Sequence, residues 1–124
     1  MQHSSMLREV FVVDDEYAAR EVLTDLLLDS GYSVSSAANG RDALNHLRNS
    51  SPPGVIILDL MMPLMDGWEF LEHQSRDPAL LDIPVVVLSA RPPHQPLRAK
   101  AILLKPVQPK ELFEMIERFL PPAG

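Results

Sequence analysis

The stretch "VFVVDDE", Val10 to Glu16, decides the fold, because three consecutive acids stand directly behind an apolar run. Val10 to Val13 is short and rich in β-branched residues, the composition of a strand covered on both faces. Burial penalises charge, so the acids mark the rim of the sheet, either as a solvated turn or as a site. The design returns further along. "GVIILDLMMP" carries the run Val55 to Leu58 and ends it in Asp59; "IPVVVLSA" ends its run at Ser89; "AILL", Ala101 to Leu104, leads into Lys105 and Pro106.

Helical patterns fill the intervals. Ala19, Val22, Leu23, Leu26 and Leu27 recur at helical spacing and predict one inward stripe, ended by Gly31 as a left-handed cap. "YSVSSA" from Tyr32 alternates weakly as a second strand. "GRDALNHLRNS" sets Ala43, Leu44 and Leu47 on one face before Pro52 and Pro53 stop it, and "GWEFLEHQ" from Gly67 turns Phe70 and Leu71 inward. A closing helix begins at Pro109, with Glu111 near its positive end and Leu112, Met115, Ile116, Phe119 and Leu120 facing in. Strands and helices in alternation predict an α/β fold, a parallel sheet joined by right-handed crossovers.

The 124 residues, 46% of them hydrophobic, suit one domain over 8–120, with a flexible tail at 1–7 and a C-terminal tail or linker stub at 121–124. The lack of cysteine excludes disulfides, thiolate metal sites and a catalytic thiol. A net charge of −6 opposes a broad phosphate-binding surface, so no direct contact with nucleic acid is expected. No apolar stretch approaches the roughly 20 residues that span a bilayer, and no signal peptide is evident, so a cytoplasmic protein without membrane contact is expected.

Ligands of open parallel sheets gather beyond the carboxyl ends of the strands. Asp14 and Asp15, Asp59, Ser89 and Lys105 all follow strands, so they meet at one edge. Two carboxylates about 4 Å apart repel by roughly 4 kcal/mol at an effective dielectric near 20. Lys105 supplies one counter-charge, and a divalent cation, Mg²⁺ rather than Zn²⁺ for an all-oxygen site, supplies the rest. Such a centre handles a phosphoryl group: the metal beside Asp59 and the Lys105 ammonium take its oxygens, the Ser89 hydroxyl donates to another, and Asp59 is the nucleophile.

Together "VVDDE", "ILDLMMPLMDGWEF", "VVVLSA" and "LLKP" closely resemble the receiver domain of bacterial two-component response regulators. The likeness covers the chain from about Arg8 to Leu120, and the Asp15-to-Asp59 and Asp59-to-Ser89 spacings are usual for that family. It implies a flavodoxin-like, doubly wound sheet of five parallel strands in the order 2-1-3-4-5. It also implies phosphorylation of Asp59 by a sensor histidine kinase or phosphotransfer protein. Asp14, Asp15, Asp59 and the backbone carbonyl of Met61 would hold Mg²⁺; Ser89 would be the switch hydroxyl; Lys105 would precede a cis Pro106; and Pro63 and Gly67 would shape the loop. By the same resemblance the domain is not an enzyme on outside substrates and catalyses only its own phosphorylation and dephosphorylation.

One interval departs from the family. Ser89 to Lys105 is short, and Pro92, Pro93 and Pro96 within "RPPHQPLRAK" forbid a helix interior. The family's fourth helix is therefore expected to be missing or vestigial, and Ile102 stands where a switch aromatic is usual. Uncovered apolar side chains of the fourth and fifth strands could then meet a second copy, as a homodimer, or another partner. Two further functions compete. A pseudo-receiver would serve as a phosphorylation-independent interaction or dimerisation module; a metal-dependent phosphatase would need an acid at Met61. The scattered His3, His46, His73 and His94 are expected to be solvated.

Overall fold

Alternation along each strand sorts side chains onto two faces, and that sorting builds the layers. The computed structural model describes residues 9–120; the expected tails at 1–7 and 121–124, with Arg8 and His3, lie outside the described residues. In chain order the elements are β1 (Glu9–Val13), α1 (Tyr17–Asp29), β2 (Ser33–Ala37), α2 (Gly40–Arg48), β3 (Val55–Asp59), α3 (Gly67–Ser75), β4 (Val85–Ser89), β5 (Ala101–Leu104) and α4 (Pro109–Glu117). Every strand pairing is parallel and the order is β2-β1-β3-β4-β5, the flavodoxin-like arrangement expected.

Phe11, Val13, Ile56, Leu58, Val85 and Val87 look to one face, which α2 covers with Ala43, Leu44 and Leu47 and α3 with Phe70 and Leu71. Val10, Val12, Val55, Ile57, Val86 and Leu88 look to the other, against Leu27 of α1 and Leu112 and Ile116 of α4. Both faces of β1, β3 and β4 are thus dry, which is why their sequences are continuous apolar runs. Helix ends follow local chemistry. Asn39 and Asp66 accept hydrogen bonds from the third residue beyond each, at 2.8 and 3.0 Å, and open α2 and α3; Gly31, with φ +93°, closes α1.

The inward stripe of α1 is narrower than its spacing suggested. Leu27 is buried and Leu23 half-buried, but Val22 is 60% exposed and Leu26 36%. The reason is position: α1 packs on β1 and β2 at one end of the sheet, so a single seam of the helix is covered.

Residues 90–100 hold bends and extended backbone without a helix, as the prolines required. The connection still covers β4, because Leu97 and Ala99 pack against the core and all of Val85 to Ser89 is buried. The exposure expected on both strands is therefore confined to β5, the sheet edge, at Ile102 and Leu104. His46 also departs from expectation: its ring stacks on Phe11 with centroids 4.9 Å apart.

Gly67 begins α3 where the chain passes directly over Leu60; its N–H donates to the Leu60 carbonyl at 2.8 Å, and a Cβ would stand 2.7 Å from Leu60 Cδ1 and 2.9 Å from its Cα. Gly67→Ala should cost about 1–3 kcal/mol of stability through this overpacking. Urea titration followed by circular dichroism measures it, and an unchanged midpoint would show that the helix start shifts freely.

Candidate functional site

Register places the first two acids. β1 and β3 are neighbours with Val13 opposite Leu58, so Asp14 and Asp59, one residue further on, arrive side by side. Both are buried, and Asp15 is exposed. Asp14 is held on several sides: its N–H donates to the Ala37 carbonyl at 3.2 Å, its Oδ1 accepts from the Glu16 N–H at 2.9 Å, and its carbonyl accepts from Arg20 Nη1 at 2.6 Å. One carboxylate oxygen from each of Asp14, Asp15 and Asp59 lies within 4.8 Å of the others.

The cation of the cluster comes from the far edge of the sheet. The Lys105 N–H donates to the Ser89 carbonyl at 2.7 Å, carrying the β4–β5 pairing one residue past the strands. Its Nζ then reaches 3.3 Å from Asp59 Oδ1, and the Lys105–Pro106 peptide is cis. Asp59 also accepts from the Met61 N–H. Burial nevertheless raises the Asp59 pKa above its ordinary value of 3.8; Lys105 opposes the rise and the neighbouring Asp14 charge adds to it.

One ammonium does not offset three carboxylates of which two are desolvated. The donor set fits a hard divalent cation: oxygens only, one of them solvent-facing so that water can complete the shell. Oxygens within 4.8 Å of one another are near enough for one such ion to be shared by all three. Asp14, Asp15, Asp59 and Lys105 are thus brought together as the sequence suggested.

Ser89 is buried at the end of β4, but its hydroxyl donates to the Arg91 carbonyl at 2.6 Å and is bound into the first turn of the 90–100 connection. Beyond it lies a cavity of about 370 Å³ lined by Leu60, Met61, Trp68, Ser89, Pro92, Pro93 and His94 among others. The exposed His94 ring tilts onto Trp68 at 5.3 Å. Sequence reading missed this contact and the clasp of Arg20 on the Asp14 carbonyl. A lone Arg on an otherwise acidic helix was the only available signal for the second.

A sequence profile described as the response regulator receiver domain matches residues 10–117. The chain belongs to this family. As such it is a receiver domain of two-component signalling. It is 35% identical over 118 residues to the phosphate regulon transcriptional regulatory protein PhoB of Escherichia coli, a match that covers 90% of this chain and 51% of PhoB. The chain spans about half the length of the curated relatives it matches. Among solved structures, the chemotaxis protein CheY4 of Vibrio cholerae superposes with a TM-score of 0.82 at 30% identity, over 90% of this chain and 98% of that one. The response regulator TrrA of Thermotoga maritima, solved in complex with Mg²⁺ and BeF, gives 0.81 at 28% identity over 91% and 99%.

The raised Asp59 pKa has a definite sign for the metal-free receiver domain. The protonated acid is tolerated, so its favourable contribution is fully present below the unfolded value and is lost as pH rises through the raised folded value. Asp59→Asn keeps an oxygen for Lys105 and removes the buried charge. Its metal-free melting midpoint should match wild type near pH 4 and exceed it by a few degrees at pH 7, with Mg²⁺ narrowing the gap. Differential scanning fluorimetry across pH tests this; a variant less stable at pH 7 would show that the Lys105 pair outweighs desolvation.

Proposed function

We propose that this receiver domain takes a phosphoryl group onto Asp59 from the phosphohistidine of a sensor histidine kinase or phosphotransfer protein. The observation that carries the reading is the buried Asp59 carboxylate, set beside Asp14 and 3.3 Å from the Lys105 ammonium. Asp14, Asp15, Asp59 and the Met61 backbone carbonyl would hold Mg²⁺, which when bound neutralises phosphoryl oxygens as charge builds on them. TrrA, in complex with Mg²⁺ and BeF, supports that choice of ion.

In the transfer an Asp59 oxygen attacks phosphorus, the P–N bond breaks, and the imidazole nitrogen leaves with the electron pair and takes up a proton. Lys105 pairs with a phosphoryl oxygen, and Ser89 turns its hydroxyl from the Arg91 carbonyl to another. The product is an acyl phosphate that hydrolyses in place, so the domain acts on itself and turns over no outside substrate. An acid two residues beyond Asp59 would favour a phosphatase; Met61 stands there. The complete acidic set with its lysine argues against a pseudo-receiver. We read the cytoplasm as its place of action, and proteins, not nucleic acid, as its direct partners; among the described residues no helix is long and apolar enough to cross a membrane.

Incubation with acetyl phosphate and Mg²⁺, followed by intact-mass spectrometry, should give one phosphoryl adduct in wild type. None should form in Asp59→Asn or after chelation by EDTA, and Lys105→Ala should accumulate at least tenfold less. An adduct that persists in Asp59→Asn would refute the assignment.

A further inference from the structure

Two complementary surfaces lie at opposite ends of the sheet, and neither takes part in the chemistry at Asp59. Residues 83–110 contain Arg91, Arg98, Lys100, Lys105 and Lys110 and no acid, in a chain of net charge −6. Arg98 and Lys100 are exposed, and no ion pair among the described residues uses them. They lead into β5, sharing one groove with Asp82, and on the bare face of that strand Ile102 is 41% and Leu104 48% exposed because no helix covers it. Whatever docks there must bring apolar side chains together with carboxylates.

This chain carries such an element. On α1, Val22 and Leu26 are exposed one turn apart, and Glu21, Asp25 and Asp29 border them at helical spacing, exposed and likewise without an ion pair among the described residues. α1 lies over β1 and β2, whereas β5 is the opposite edge, three strand spacings or about 14 Å beyond β1, so the two surfaces of one molecule cannot meet.

We propose that the occupant of the β5 face is α1 of a second copy of this chain. The helix missing between β4 and β5 is then replaced in trans, with Val22 and Leu26 against Ile102 and Leu104 and the acids against Arg98 and Lys100. The contact joins two different patches, so it is head-to-tail and adds copies in a row or a ring instead of stopping by symmetry at two. One helix on one short strand is a small interface, so the association is weak and strongly dependent on salt.

Sedimentation of the unphosphorylated wild-type chain at about 1 mM should give a weight-average mass at least about twice the 13.9 kDa monomer at low salt. It should fall back to the monomer as salt rises from about 0.01 M to about 1 M, where the screening length drops from about 30 Å to about 3 Å. The double variants Arg98→Glu with Lys100→Glu, and Asp25→Lys with Asp29→Lys, should each be monomeric alone. Their equimolar mixture should associate again, since the exchanged charges at 25 and 29 then face those at 98 and 100 with opposite sign. A wild type that stays monomeric at low salt overturns the proposal, and so does a mixture that does not associate. An α1 variant that still associates would also overturn it and assign the contact to two β5 edges.

Discussion

The structure depends on one unfavourable interaction, the crowding of partly desolvated carboxylates at the mouth of a parallel sheet. Asp14 and Asp59 reach that mouth because their strands are adjacent and in register. Nothing in the packing of the core requires them to be acids. At about 4 Å such a pair costs several kcal/mol at the effective dielectric of a protein surface, a large share of the ~5–15 kcal/mol that holds a domain together. The fold tolerates this by fixing the backbone firmly under the repelling groups: three hydrogen bonds clasp Asp14, and the Ser89 carbonyl ties down Lys105. What remains uncompensated in the protein alone is available to bind a cation and a phosphoryl group. The instability and the proposed chemistry are therefore the same quantity seen from two sides.

Much of this was legible in the residues, and the reason is specific. A strand buried on both faces is a continuous apolar run, so its end is sharply visible, and any polar residue following it is on the rim. Asp14, Asp59 and Ser89 could each be placed by that rule without knowledge of contacts, and Lys105 by its place after the apolar run of β5, although one face of that strand is bare. The strand order was not readable from periodicity and came from the resemblance. The exposure of Val22 and Leu26 was not readable either, since an amphipathic pattern records which residues are apolar and not how wide a seam the sheet offers. α1 sits at the end of the sheet, and apolar residues remain in solvent there. Arg20 and His94 were missed because their partners, a backbone carbonyl and an indole ring, leave no trace in spacing.

The 90–100 connection shows how composition can remove an element without removing its packing role. Prolines at 92, 93 and 96 abolish a helix, yet Leu97 and Ala99 still reach the core and keep β4 dry. What the extended segment cannot do is extend that cover over β5, since Leu97 and Ala99 are both spent on the core. Ile102 and Leu104 stay bare as a result, and the exposed Arg98 and Lys100 stand just before them in the chain.

This also bears on how a signal could leave the site. In the fold as it stands, the Ser89 hydroxyl is bonded to the Arg91 carbonyl, Arg91 is followed by two prolines, and His94 rests on Trp68. Each proline fixes φ, so the stretch from 91 to 94 has few backbone conformations. A hydroxyl that leaves the Arg91 carbonyl for a phosphoryl oxygen frees the first anchor of that stretch, while Trp68 on α3 holds the last. In the proposed transfer that change would fall on a short segment beside the cavity lined by Ser89, Pro92, Pro93 and His94. A helix packed on β4 would have spread the same change over many contacts. Under the phosphorylation proposed for Asp59, the proline-rich connection would confine the change to the rim of the site, and a partner reading it through this segment would do so there.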